Sequence, residues 1–241
     1  MRAISIIFRR ELGAYLRSPY GWVIAAIVLL IDGLLFQGLA MSGEMLSAYV
    51  LERSFYYWSA IPLFAGVLLS FRLLSEERQN HSMILLNTSP VRDSEIVVGK
   101  FLAALTFLTI VLALSIYMPL LVKWNGKITW AQIFVGYMGL FLIGAATLAI
   151  GLFASALTRQ QLIAAVAAAA MVAVMCFIHV LASKVDPPLK EVIEQVDLWW
   201  VHYQYGFMKG IFNLKDVIFY LAATYFFLLL SIKTLEAKRW Q

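Results

Sequence analysis

Cysteine is almost absent. The one residue, Cys176, stands inside an apolar run, which excludes an intrachain disulfide and a Cys-x-x-Cys metal cluster. Histidine is nearly as scarce, and His81, His179 and His202 fall in separate stretches with no metal-ligand spacing. Charge is sparse too. Asp, Glu, Lys and Arg make up 14% of the 241 residues, against about 25% in an ordinary soluble domain. The nearest approach to a phosphate-binding loop is Gly99-Lys100, but Phe101 follows it and no glycine stands five residues earlier. H-E-x-x-H and G-x-S-x-G are missing as well. These absences argue against P-loop nucleotide hydrolysis, zinc-protease chemistry and serine-hydrolase chemistry, and the expectation is a chain with no catalytic residue, metal or cofactor of its own.

What is present is apolar: 62% hydrophobic residues and a mean hydropathy of +0.83. Several runs reach the roughly 20 residues that a helix needs to cross about 30 Å of hydrocarbon. The expectation is an all-α integral membrane protein with six spans in a single domain, 1–241. Span one covers 21–41. A loop with Glu44, Glu52 and Arg53 then leads through Phe55, Tyr56, Tyr57 and Trp58 into a second span ending near 74. Spans three to six follow at 101–122, 130–157, 162–182 and 216–233. Ahead of them, Ile4, Ile7, Phe8, Leu12, Tyr15 and Leu16 recur at helical spacing among four arginines. This predicts an interfacial helix over 1–18, its basic residues toward anionic lipid.

Orientation follows from the basic residues. Of the 19 Lys and Arg, 12 fall in the terminal stretches and in the connections after spans two and four. By the positive-inside rule that face is cytoplasmic, with both termini on it. The opposite face carries a long loop, 183–215, in which Asp186 and Pro187-Pro188 open an amphipathic helix continuing through Trp199, Trp200 and Tyr203. It reads as an anchor at the outer leaflet.

A few residues stand out from this background. Asp32, near the middle of span one, either lines a polar path or bonds a neighbouring helix through Gln37, Thr106 or a carbonyl. Glu11 falls on the apolar side of the first helix, where it either snorkels to water or pairs with a base of the central polar run. Thr147, Gly151 and Ser155 in span four, and Ala165, Ala169 and Ala173 in span five, are small residues at four-residue spacing that suit close helix packing. The central run, LLSEERQNHSMILLNTSPVRDSEIVVGK from 73 to 100, opens with Glu76 and Glu77, carries an apolar patch at Met83 to Leu86 and turns at Thr88-Ser89-Pro90. An apolar helix face held at a membrane surface suits the groove of a soluble partner, so 75–98 reads as a docking element.

These residues resemble the ABC-2-type permeases of ATP-binding-cassette transporters. The likeness rests on the surface helix, six spans, Glu76-Glu77, Leu85-Leu86, Thr88-Ser89-Pro90-Val91, and Glu95 through Gly99-Lys100. Arg10-Glu11-Leu12, Ser18-Pro19 and the stretch from Gly210 to Tyr220 resemble the gliding-motility-associated permease subunits of that family. The family pattern has Gly-Thr and a Glu where this chain has His81-Ser82 and Ile84. The resemblance implies a permease of an exporter in a bacterial inner membrane. It further implies two separately encoded ATPase subunits that hold ATP and Mg, a second permease subunit, identical or paralogous, and room for an accessory extracytoplasmic subunit. The implied docking and coupling residues are Glu76, Glu77, Ser82, Leu85, Leu86 and Pro90, with Glu11 pairing the interfacial helix to them. Two other classes remain: a stand-alone channel or secondary transporter that uses Asp32, and a membrane scaffold that moves no substrate.

Overall fold

The computed structural model describes residues 2–40, 46–80, 91–186 and 189–239, and among them every regular element is helical. Six helices are long and apolar enough to cross a membrane: Pro19–Leu39, Ser47–Gln79, Asp93–Trp124, Trp130–Leu157, Gln161–Ala182 and Leu214–Lys238. With an even number of spans, both termini share one face, here called the terminal face; the other is the distal face.

The surface helix, Arg2–Arg17, ends where Ser18 turns extended and caps the next helix, its Oγ accepting from the Gly21 N–H, with Pro19 in the first turn. The corner is so tight that a Cβ on Gly21 would collide with the Tyr15 carbonyl oxygen. Tyr15 pins the corner from inside: its hydroxyl donates to Leu69 O at 2.9 Å and its ring stacks on Phe107.

Span four is the central post. Its apolar window is 83% buried, whereas spans one, five and six are only 17–28% buried and turn most of their surface outward. It starts at a capping box between Thr129 and Gln132 and stays inside because its residues facing the other helices are small. Gly136 faces the Phe55 ring, Gly144 faces Leu108 and Pro62, Thr147 meets Gly66, and Gly151 abuts Ser70. The Thr147, Gly151 and Ser155 row therefore packs within the subunit against span two. In span five the buried row is Ala164, Ala168, Val172 and Cys176, while Ala169 and Ala173 are exposed and Ala165 is half-buried. The expected stripe lies one residue off the packed one.

Span two is longer than the sequence reading allowed. Glu52 and Arg53 are not in a loop but inside a helix that runs 33 residues from Ser47. At 1.5 Å per residue that is about 50 Å, so both charged ends project beyond roughly 30 Å of hydrocarbon. The helical ladder is interrupted at Phe71, where Ser155 of span four enters it: Oγ accepts from the Leu74 and Ser75 N–H groups and donates to Phe71 O.

The distal loop also departs from expectation. Pro187 and Pro188 lie outside the described residues, and the helix that follows is only Leu189–Glu194. Asp197 then ends the periodicity, its Oδ1 accepting from the N–H groups of Trp199, Trp200 and Val201. Beyond it, Leu198, Tyr203 and Phe207 are fully buried. The Tyr203 hydroxyl donates to Phe55 O, Trp199 Nε1 donates to Ser59 Oγ, and Tyr220 OH of span six donates to Leu198 O. This half of the loop is a plug seated among spans two, four, five and six rather than a continuous helix lying on a leaflet.

Candidate coupling site

On the terminal face the surface helix crosses the start of span three. Gly99 makes the approach close: a Cβ there would stand 2.9 Å from Ile7 Cγ2. One residue on, the Lys100 side chain is 2% exposed and its Nζ lies 3.0 Å from Glu11 Oε1 and 3.1 Å from Glu77 Oε1. Arg10 closes the group, Nη2 donating to Glu11 Oε1 at 2.7 Å and to Glu77 Oε1 at 2.9 Å. Two acids and two bases thus cancel where the carboxylates are only 16% and 13% exposed. Burial by itself lifts the Glu11 carboxyl, but the Lys100 ammonium and the Arg10 guanidinium outweigh it and hold that carboxyl below its ordinary value.

The cluster joins three elements by charge: the surface helix through Arg10 and Glu11, the end of span two through Glu77, and the start of span three through Lys100. Glu76, next to Glu77, takes a different partner. It forms a two-pronged bridge with Arg72 (Nε to Oε2 2.6 Å, Nη2 to Oε1 2.9 Å), and the Arg72 guanidinium lies 4.3 Å above the Tyr20 ring. Glu77 therefore ties span two to the surface helix, while Glu76 holds Arg72, whose guanidinium meets the corner at Tyr20. Ser82, Leu85, Leu86 and Pro90 lie outside the described residues, as does His81; the segment that holds them leaves after Asn80 and returns at Val91. Its two attachments are the two helices that Glu77 and Lys100 bind together.

Asp32 stands apart from this group. It is 3% exposed, and its Oδ1 has no hydrogen-bond partner among the described residues. Neither expected side-chain partner reaches it: Thr106 Oγ1 donates within its own helix to Leu102 O, and Gln37 is exposed. Tyr137 of span four is within electrostatic reach. No group of His, Cys, Asp and Glu suited to a metal ion occurs among the described residues.

Sequence reasoning pointed Glu11 toward a base of the central run without saying which. Lys100 and Arg10 were missed as its partners. A lysine directly after a glycine, about two turns into an apolar helix, was the available signal, because a buried ammonium requires a carboxylate nearby.

The fold and this ionic joint define a six-span membrane protein whose terminal-face connection is braced from two sides. A family model described as ABC-2 family transporter protein matches residues 5–233. The chain belongs to that family: it is a transmembrane permease component of an ABC transporter and not the ATPase, which is its partner. No curated protein matches the chain.

Proposed function

We propose that the chain is one of two permease subunits, identical or paralogous, of an ABC-2-type exporter in a bacterial inner membrane, with both termini cytoplasmic. Two ATPase subunits that carry ATP and Mg dock on its 75–98 region. The chain forms a single transmembrane domain over 1–241, and the resemblance of its opening and of Gly210–Tyr220 favours the gliding-motility group. The observation that carries the reading is the neutral cluster of Arg10, Glu11, Glu77 and Lys100 at the two roots of the segment between Asn80 and Val91. A push on that segment, with Leu85 and Leu86 as anchors and Ser82 and Pro90 at its flanks, reaches spans two and three together. The buried joint then passes it to the surface helix and span one.

Cysteines introduced between 82 and 89 should crosslink to the copurified ATPase, and cysteines at Lys190 or Glu191 should not. An assembled complex whose central segment crosslinks to nothing soluble would remove the docking claim. One observation favours a rival reading, ion-coupled transport by the chain alone: the buried Asp32 Oδ1 without a partner. Uptake driven by an ion gradient in liposomes that hold only this chain, abolished by Asp32→Asn, would establish that rival. A scaffold role without cargo predicts ATP turnover with no translocated molecule in the same vesicles.

A further inference from the structure

Span four ends on the terminal face at a concentration of positive charge that the coupling cluster does not use. Arg78 Nη1 donates to Ala156 O at 2.5 Å, and Lys238 Nζ donates to the same oxygen at 3.1 Å and to Leu157 O at 2.7 Å. Two cations from the ends of spans two and six therefore meet at one carbonyl. Arg159, between spans four and five, lies within electrostatic reach of both. The carbonyl end of a helix supplies only about half a negative charge. Against three full positive charges this leaves an excess of roughly two and a half. The carboxylates of this face do not make up the difference. Glu11 and Glu77 bind Arg10 and Lys100, Glu76 binds Arg72, Glu236 binds Lys233, Glu95 accepts from the Arg92 N–H, and Asp93 is buried in the first turn of span three. Among the described residues no carboxylate pairs with Arg78, Arg159 or Lys238.

The position narrows what the counter-anion can be. All three cations stand at the ends of membrane spans, where headgroups begin, and Leu157, Leu162 and Ile163 beside them are exposed. A charged site with an apolar flank at that depth matches an anionic phospholipid, phosphodiester on the cations and acyl chain along the leucines. We infer that Arg78, Arg159 and Lys238 form a binding site for the phosphate headgroup of an anionic lipid on the terminal face of the permease. The lipid would tie together the ends of spans two, four and six, with Arg159 adding the link to span five.

The full chain in a neutral detergent can be titrated with dioctanoyl phosphatidylglycerol, with dioctanoyl phosphatidylcholine and with inorganic phosphate. Phosphatidylglycerol should bind saturably and raise the melting temperature, phosphatidylcholine should bind at least tenfold more weakly, and inorganic phosphate should not compete at comparable concentration. At about 1 kcal/mol per surface cation, each neutralised residue should weaken phosphatidylglycerol roughly fivefold, and R78Q/R159Q/K238Q on the order of a hundredfold. Because Arg78 and Lys238 also cap span four, Arg159→Gln alone is the decisive variant: its side chain forms no hydrogen bond or ion pair among the described residues, so it can be removed without loss of the fold. Unchanged phosphatidylglycerol affinity in Arg159→Gln and in a folded triple variant overturns the inference, as does equal binding of the two lipids. Competition by inorganic phosphate at matching affinity assigns the cations to a soluble phosphate ester instead. Loss of the ATPase from the triple variant with lipid binding intact assigns them to a protein partner and equally overturns the lipid site.

Discussion

Lys100 is the residue on which the ionic joint turns. Lys100→Met leaves Glu11 and Glu77 to share Arg10, whose side chain is 54% exposed. Removing one partner of a buried pair costs roughly 3–5 kcal/mol, so the variant should melt well below the wild type in detergent. Glu11→Gln added to it leaves Arg10 and Glu77 as a neutral pair and should recover part of the loss. A thermal double-mutant cycle measures the difference, and strict additivity would mean that the charges are not coupled. The same group gives a pH dependence. The folded Glu11 carboxyl sits below its unfolded value of about 4.3, so its contribution is complete above about pH 5 and fades as the pH falls through 4 and lower. The melting temperatures of the wild type and Glu11→Gln should therefore converge as the pH falls below the ordinary carboxylate range. Asp32→Asn should leave folding intact, because the amide keeps the size of the side chain and removes a formal charge from a buried site whose Oδ1 has no partner among the described residues. A helical wheel could show that Glu11 faced inward. It could not show which element lay opposite, because Glu11 and Lys100 are 89 positions apart.

At the scale of elements, spans two and four meet on small residues, and the contact should fail in a predictable way. A Cβ on Gly151 would run into the Ser70 side chain, so Gly151→Ala should cost about 1–3 kcal/mol, with partial rescue by Ser70→Gly. Ser155→Ala should instead strand the Leu74 and Ser75 N–H groups at the interrupted ladder, at a cost of about 1–3 kcal/mol. Melting curves compared with an engineered distance label across Phe71 separate the two effects. Span four was legible to the residue, 130–157, because its apolar run is bounded by a capping box and by Thr158. Span two was read short because charged residues look like loop, and nothing in Glu52 or Arg53 says that a helix continues past the bilayer. The alanines of span five surround the whole helix, so composition alone could not choose between two rows set 100° apart. In the distal loop the three-and-four spacing was real but did not extend into one helix, because Asp197 takes the backbone N–H groups that would have carried it on.

For the molecule as a whole, the six-span class was legible from hydropathy. The sidedness rests on where 12 of 19 basic residues lie. In intact cells, a cysteine at Lys190 should react with an impermeant reagent and one at Lys238 should be shielded; the reverse pattern would invert the molecule and with it the docking proposal. The central place of span four has a consequence for biogenesis. A chain that leaves the ribosome from its amino terminus inserts three spans before the helix they pack on exists. Between the end of span two at Gln79 and the end of span four at Leu157 roughly 80 residues must be made, on the order of ten seconds at about 5–20 residues per second. During that interval Gly66, Ser70 and the unfilled ladder at Leu74 and Ser75 face lipid or an insertion chaperone instead of their partner. Nascent chains arrested before residue 130 should therefore remain bound to the insertion machinery, and those arrested after span four has emerged should release from it.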